Sequence, residues 1–211
     1  MGNKYASIHI YGEDREEKIK LIMDSYQNKT DSLIRENLLN QLKRDDPKAY
    51  YRLISILNID NNALIIVSCN CISIYDESNA FETIQSKAKE LSRKMDSLIT
   101  YTSNFDDDVF LIGAYDRGKL IASGKFGVNL PAYGMKRKNI NIDQLCKVLD
   151  VDKTESLCLI NSLESVNDIE DIIEEHLKIK LYLDIEEVKS DKLYIETYSD
   201  SIFHIYNKES E

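Results

Sequence analysis

Proline and glycine are scarce in this chain, and tryptophan is absent. The 211 residues include two prolines and seven glycines, whereas average usage would give about 10 and about 15. This excludes collagen-like chains and Pro-rich or Gly-rich linkers, and it favours dense regular structure. With 43% hydrophobic and 30% charged residues, the composition is that of a globular protein long enough to fold without disulfides or metals.

The common catalytic and metal-binding motifs are also missing. The glycines form no G-x-G-x-x-G, G-x-x-x-x-G-K-[ST] or G-x-S-x-G pattern, which argues against a dinucleotide site, a phosphate loop and a hydrolase nucleophile. The histidines, His9, His176 and His204, are far apart, and no C-x-x-C occurs. We therefore predict no catalytic residues, no metal site and no cofactor, while a site assembled from distant residues stays open.

Long hydrophobic runs are absent as well. The longest, Ala63 to Val67, is far shorter than the roughly 20 residues of a membrane-spanning helix. No apolar stretch follows the lysine at the N-terminus, so we expect no signal peptide. The four cysteines are then expected to be reduced thiols. We predict a cytoplasmic protein without membrane association and leave its oligomeric state open.

Negative charge is concentrated in the last third of the chain. Residues 1–149 hold 21 Lys and Arg and 20 Asp and Glu, a net of +1. Residues 150–211 hold 6 Lys and Arg and 17 Asp and Glu, a net of −11. The two regions together give the chain its net charge of −10. An acidic surface repels phosphate backbones, so we expect no general nucleic-acid binding. The same surface is suited to a basic protein partner.

Strand and helix patterns alternate along the first two thirds of the chain. Alternation of apolar and polar residues predicts a strand over 4–11, and enrichment in Ile and Val predicts one or two strands over 63–75. The sequence Asp116-Arg117-Gly118-Lys119 predicts a tight turn between strands. The predicted strands are 4–11, 63–75, 99–102, 109–115 and 120–126, and the predicted helices are 13–26, 32–43, 47–58 and 79–98. This favours an α+β fold, with a mixed β-sheet and helices packed on it.

A short internal similarity indicates a duplicated β-α unit. The segments Ile8-His9-Ile10-Tyr11-Gly12-Glu13 and Ile72-Ser73-Ile74-Tyr75-Asp76-Glu77 share Ile-x-Ile-Tyr-x-Glu. Each is followed by an amphipathic helical pattern, as expected of two related strand-helix units.

A segment without periodicity separates two regions of different character. We predict an α+β body at 1–127, a connecting loop at 128–139, and a mainly helical acidic region with short strands at 140–211. The acidic region is predicted to hold helices at 142–149, 154–163 and 168–178 and strands at 180–188, 192–198 and 201–206. If its final strands rejoin the sheet, the whole chain is one domain.

The preferred functional hypothesis is a non-enzymatic protein-binding module. One version is an immunity or antitoxin-type inhibitor of a basic toxin domain such as a nuclease. The predicted partner-binding residues are the acidic residues on or beside the last predicted helix, Glu164, Asp168, Glu170, Asp171, Glu174 and Glu175. A secondary basic patch is predicted in the connecting loop, at Tyr133, Lys136, Arg137 and Lys138.

Two other functions stay open. Asp106, Asp107 and Asp108 offer clustered carboxylates for an enzyme with a scattered, metal-dependent site. Tyr5, His9 and Tyr11 would share one face of a strand, an arrangement typical of a nucleic-acid or nucleotide-binding module that stacks bases.

Overall fold

A seven-stranded antiparallel sheet forms the centre of the fold. The computed structural model describes residues 4–12, 17–22, 63–67, 71–76, 81, 83–177, 180–183 and 202–206. The strands are β1 (Lys4–Tyr11), β2 (Ala63–Val67), β3 (Cys71–Asp76), β4 (Leu98–Phe105), β5 (Val109–Asp116), β6 (Lys119–Phe126) and β7 (Ile202–Tyr206). Their order in the sheet is β6-β5-β4-β1-β3-β2-β7.

The α+β class is confirmed, but the prediction of a mixed sheet is wrong. Every pair of neighbouring strands among the described residues is antiparallel. The helix α1 (Ile84–Lys94) connects β3 to β4, which is the strand-helix-strand pattern of a parallel crossover. Both strands pair antiparallel with β1, which lies between them. The two strands therefore run parallel without touching, because β1 separates them.

The two similar segments of the sequence lie side by side in the sheet. Ile8 pairs with Ile74 and Ile10 pairs with Ile72, so His9 lies opposite Ser73 at the centre. Residues 17–22, which are helical, and α1 each follow one of these strands. Ile22 and Ile84 pack in the same core cluster. The duplication itself stays a prediction.

The sheet buries both of its faces. One face, here called the α1 face, carries aliphatic residues of the central strands such as Ile8, Ile10 and Ile74, and these pack against Ile84 and Ala88 of α1. The other, the α4 face, is covered by the C-terminal helices over β5 and β6, where Phe110, Ile112 and Phe126 are buried. Described helices therefore lie on both faces of the sheet over β5 and β6.

The C-terminal helices begin close to the predicted positions. They are α2 (Ile142–Leu149), α3 (Glu155–Leu159) with a 3-10 turn at Ile160–Ser162, and α4 (Val166–Leu177). The side chain of Asn141 caps α2 by accepting a hydrogen bond from the Gln144 N–H at 3.0 Å, as expected of an N-cap residue. Thr154 caps α3 in the same way. The Ser165 hydroxyl accepts from the Asp168 N–H at the start of α4.

The predicted connecting loop contains ordered structure. Leu130–Tyr133 forms a 3-10 helix, and Lys125 and Lys138 exchange two backbone hydrogen bonds at 2.8 and 3.0 Å. Residues on both sides of the loop share one core cluster on the α4 face. The boundary at 128–139 stays a prediction.

Several predicted elements cannot be compared with the structure. The predicted helices 32–43 and 47–58 and the strand 192–198 lie outside the described residues. Residues 180–183, predicted to begin a strand, are not in one. The last predicted strand, 201–206, corresponds to β7, which pairs with β2.

Candidate functional site

Four of the six predicted partner-binding residues lie on the outer surface of the C-terminal helices. Glu164, Asp168, Asp171 and Glu175 are exposed, and we call these four residues the acidic patch. Positions 168, 171 and 175 fall on one side of α4, because three- and four-residue steps return to the same helix face. Within the described part of the chain, none of the four forms an ion pair.

Glu170 points the other way, into the contact between α4 and the sheet. It is half-buried, and its Oε1 atom accepts hydrogen bonds from the Tyr5 hydroxyl and, at 2.8 Å, from Asn104 Nδ2. The same Asn104 nitrogen donates to Asp107 Oδ1 at 3.1 Å. The amide group of Asn104, at the end of β4, thus binds the carboxylates of both Glu170 and Asp107.

The surroundings of Glu170 favour its protonated form. Burial raises the pKa of its carboxyl to about 7, with smaller contributions of the same sign from Asp107 and Glu174. The hydrogen bonds from Tyr5 and Asn104 act in the opposite direction because they stabilise the carboxylate. Burial, together with the neighbouring Glu170, raises the pKa of the Tyr5 hydroxyl well above its ordinary value, so Tyr5 is a neutral donor.

Glu174, one turn further along α4, binds the segment 180–183. Its Oε1 atom accepts a hydrogen bond of 2.8 Å from the Leu181 N–H, and its Oε2 atom lies 2.5 Å from Lys180 Nζ. The Tyr75 hydroxyl donates to the Lys180 carbonyl at 2.5 Å. The ring of Tyr182 packs against the ring of Tyr5, with centroids 5.4 Å apart. The segment 180–183 is therefore held between α4 and the central strands.

Members of the predicted basic patch contact different parts of the fold, and Lys136, Arg137 and Lys138 are all exposed. Arg137 Nη2 donates to the carbonyls of Asn161 and Leu163 at 2.9 and 2.7 Å, and its guanidinium lies over the Phe126 ring. Lys138 Nζ donates to the Ser123 hydroxyl.

Tyr133, at the other end of the basic patch, contacts the turn after β4. Its hydroxyl donates to Asp108 Oδ2 at 3.2 Å. Lys136 is exposed. At least three members of the patch are thus engaged with other parts of the fold.

A row of buried polar side chains crosses the three central strands on the α4 face. Ser7 Oγ lies 2.8 Å from Thr102 Oγ1 and 3.1 Å from His9 Nε2. His9 Nδ1 lies 2.9 Å from Ser73 Oγ, which in turn lies 3.5 Å from Cys71 Sγ. Burial lowers the pKa of His9 to about 3, so the imidazole is neutral. In a neutral imidazole one ring nitrogen donates a hydrogen bond and the other accepts one.

Sequence reasoning missed most of this polar row. Ser7, Ser73 and Thr102 alternate with hydrophobic residues, and such alternation is typical of a strand with one face in water. Tyr5, His9 and Tyr11 do share one strand face, as predicted. That face is covered by protein, since His9 is buried and Tyr5 and Tyr11 are half-buried.

The three aspartates after β4 have separate partners. Asp106 pairs with Lys4 at 3.2 Å, Asp107 binds Asn104, and Asp108 Oδ1 accepts from Asn129 Nδ2 at 2.5 Å. Among the residues that the structure describes, no group of three or more His, Cys, Asp and Glu side chains is arranged to hold a metal ion.

No protein-family model, curated protein or solved structure matches this chain. The described helices include none that is both long and apolar enough to span a bilayer. The functional argument therefore depends on the geometry of the acidic patch and of the contacts beneath it.

Proposed function

We propose that this protein is a binding module that engages a basic protein partner through the acidic patch. The observation that carries the proposal is the set of four exposed carboxylates, none of them in an ion pair with a described residue, on and beside a helix fixed to the core. Ile169 and Ile173 of α4 are buried against the α4 face. The patch is therefore presented on a rigid element, which limits the entropy lost on binding.

The charge around the patch supports a basic partner. Residues 142–177 contain ten Asp and Glu and two Lys, and α4 itself contains five acidic residues and neither Lys nor Arg. A field of one sign accelerates the encounter with an oppositely charged surface, and like-charged partners are rejected.

An immunity or antitoxin-type inhibitor is the specific version of this function that we favour. A toxin domain that acts on nucleic acid needs a basic surface to bind phosphates. An acidic helix face complements such a surface and would block it. The proposed location is the cytoplasm.

Affinity capture with two matched charge variants tests the proposal. The first variant, D168N/D171N/E175Q, removes three charges from the acidic patch. The control, E90Q/D96N/D116N, removes three charges outside the acidic patch, in α1, just after α1 and at the end of β5. Proteins captured by the wild type are identified by mass spectrometry, purified, and studied by stopped-flow association over a range of salt concentrations.

We expect a basic partner whose association rate falls with salt and with the patch variant, but not with the control. Rim charges contribute mainly to association rates, so dissociation should change less. An acidic partner, or equal binding by both variants, would contradict the proposal.

The alternative functions have less support. The aromatic face of β1 is covered, and each hydroxyl of the polar row has a hydrogen-bond partner within the row. Neither arrangement points to bound nucleic acid or to a substrate.

A further inference from the structure

Glu170 is a carboxylate held in the protein without a cation. No Lys or Arg among the described residues contacts it. The groups that face it are Tyr5 of β1, Asn104 and Asp107 at the end of β4, and Glu174 of α4. Two of these four neighbours are themselves carboxylates and disfavour ionised Glu170, and Lys180 Nζ is bound to Glu174 Oε2 rather than to Glu170.

The contacts of Glu170 connect three parts of the fold. Tyr5 donates to Glu170 and packs against Tyr182, so one tyrosine touches both α4 and the segment 180–183. Glu174 holds that segment through Leu181 and Lys180. A change in the charge of Glu170 is therefore expected to affect the contacts of α4, of the end of β4 and of the segment 180–183.

We propose that α4 and the segment 180–183 are attached to the sheet by a proton-dependent latch centred on Glu170. In its protonated form, Glu170 still accepts hydrogen bonds from Tyr5 and Asn104 and adds no third negative charge beside Asp107 and Glu174. In its ionised form it keeps these donors, but it is repelled by both carboxylates and stays half-buried. Proton loss therefore loosens the contact.

The direction of the pH dependence follows from linkage. The pKa of Glu170 is raised in the attached state from 4.5 to about 7, so the attached state binds the proton more tightly than the detached state. Its stabilisation is complete below the ordinary value of 4.5 and is lost as the pH rises through about 7. This inference goes beyond the proposed function and does not require a partner.

Amide hydrogen exchange of the full chain between pH 5.5 and pH 8 tests the latch, after correction for the intrinsic pH dependence of exchange. The variants are E170Q, whose side-chain carbonyl can still accept from Tyr5 and Asn104, and E175Q, which removes one exposed charge from the same helix. His176, which lies 3.3 Å from the Thr154 hydroxyl, is present in both variants.

We expect protection of α4 and residues 180–183 in the wild type and in E175Q to fall about 30-fold over this range. The attached state holds one extra proton between pH 5.5 and about 7, and each pH unit in that interval is a tenfold change in the equilibrium. Protection in E170Q should change less than about twofold. A constant wild-type protection, or the same fall in E170Q, would overturn the proposal.

A second measurement is made on the wild type, and E170Q serves only to assign the resonance. A carbon-13 NMR titration of the wild-type side-chain carboxyls should show a glutamate resonance with a midpoint near 7 that is missing in folded E170Q. If every glutamate titrates near 4.5, Glu170 does not hold a proton at neutral pH and the latch does not exist.

Discussion

His9 lies directly opposite Ser73 across the β1–β3 pair, and the two side chains are hydrogen-bonded at 2.9 Å inside the core. The pair sits at the centre of the two similar segments, with isoleucines pairing on either side of it. A slip of one residue would turn the isoleucines onto the polar row and His9 onto the α1 face. The buried polar pair therefore specifies the register of the central strands.

We predict that His9 makes the fold sensitive to acid. Its pKa is lowered from 6.5 to about 3 in the folded chain, so the unfolded chain binds a proton first as the pH falls. The contribution of His9 to the free energy of unfolding should decrease by roughly 1 kcal/mol for each pH unit below 6.5. Proton uptake by Glu170 acts in the opposite direction, so the quantity to measure is the difference between the wild type and His9→Gln in urea unfolding at pH 7.5, 6 and 5. The wild type should lose stability relative to His9→Gln as the pH falls, whereas His176→Gln, at a half-buried histidine outside the polar row, is the control and should follow the wild type.

Docking of α1 depends on its buried side chains. Ile84 is fully buried against the α1 face, so Ile84→Ala should cost about 2–5 kcal/mol. Leu91 is half-buried, so Leu91→Ala should lower the free energy of unfolding by less than Ile84→Ala does. Lys89→Ala, on the exposed side of the same helix, should change the unfolding free energy by less than about 0.5 kcal/mol. Equal effects at residues 84 and 89 would show that α1 does not pack as described.

Arg137 should be a stabilising residue. Its two hydrogen bonds reach the carbonyls between α3 and α4, and its planar group lies 5.4 Å from the centroid of the Phe126 ring. Arg137→Ala should lower the unfolding free energy by about 1–2 kcal/mol. Lys136→Ala, at the exposed neighbour, is the control. If the two variants are equally stable, the contacts of Arg137 contribute nothing measurable.

Gly113 should tolerate no side chain, although it lies in a regular strand. A Cβ atom built there would be 2.5 Å from the Tyr101 hydroxyl oxygen and 2.6 Å from its ring. Gly113→Ala should therefore lower the free energy of unfolding by about 1–3 kcal/mol. In the background of Tyr101→Ala, the added methyl group should cost much less, which a double-mutant cycle measures. Additive effects would contradict this steric explanation.

Local patterns predicted the elements better than their arrangement. The bounds of α2 and the hairpin turn at Arg117 and Gly118, both with positive φ, follow from residue types within a few positions. The placement of β1 between β3 and β4 depends on pairings between residues 60 to 100 positions apart, which periodicity does not encode.

The sequence predicted that acidic residues lie on and beside α4, but not which of them face the solvent and which face the sheet. All six predicted acidic residues were chosen for charge, and charge alone cannot separate Glu175, which is exposed, from Glu170, which faces Tyr5. The helical period distinguishes the two kinds of position. Glu170 follows the buried Ile169, and Glu174 follows the buried Ile173, so both border the apolar stripe of α4.

The position of β1 between β3 and β4 also constrains the order of events during synthesis. β1 is the earliest of the described strands along the chain, and in the finished sheet it is flanked by strands that end at Asp76 and Phe105. At about 5–20 residues per second, β1 waits several seconds for its second neighbour, with an unpaired edge that other chains could join. A nascent chain that stalls before Phe105 would therefore carry an incomplete sheet with its central strand exposed.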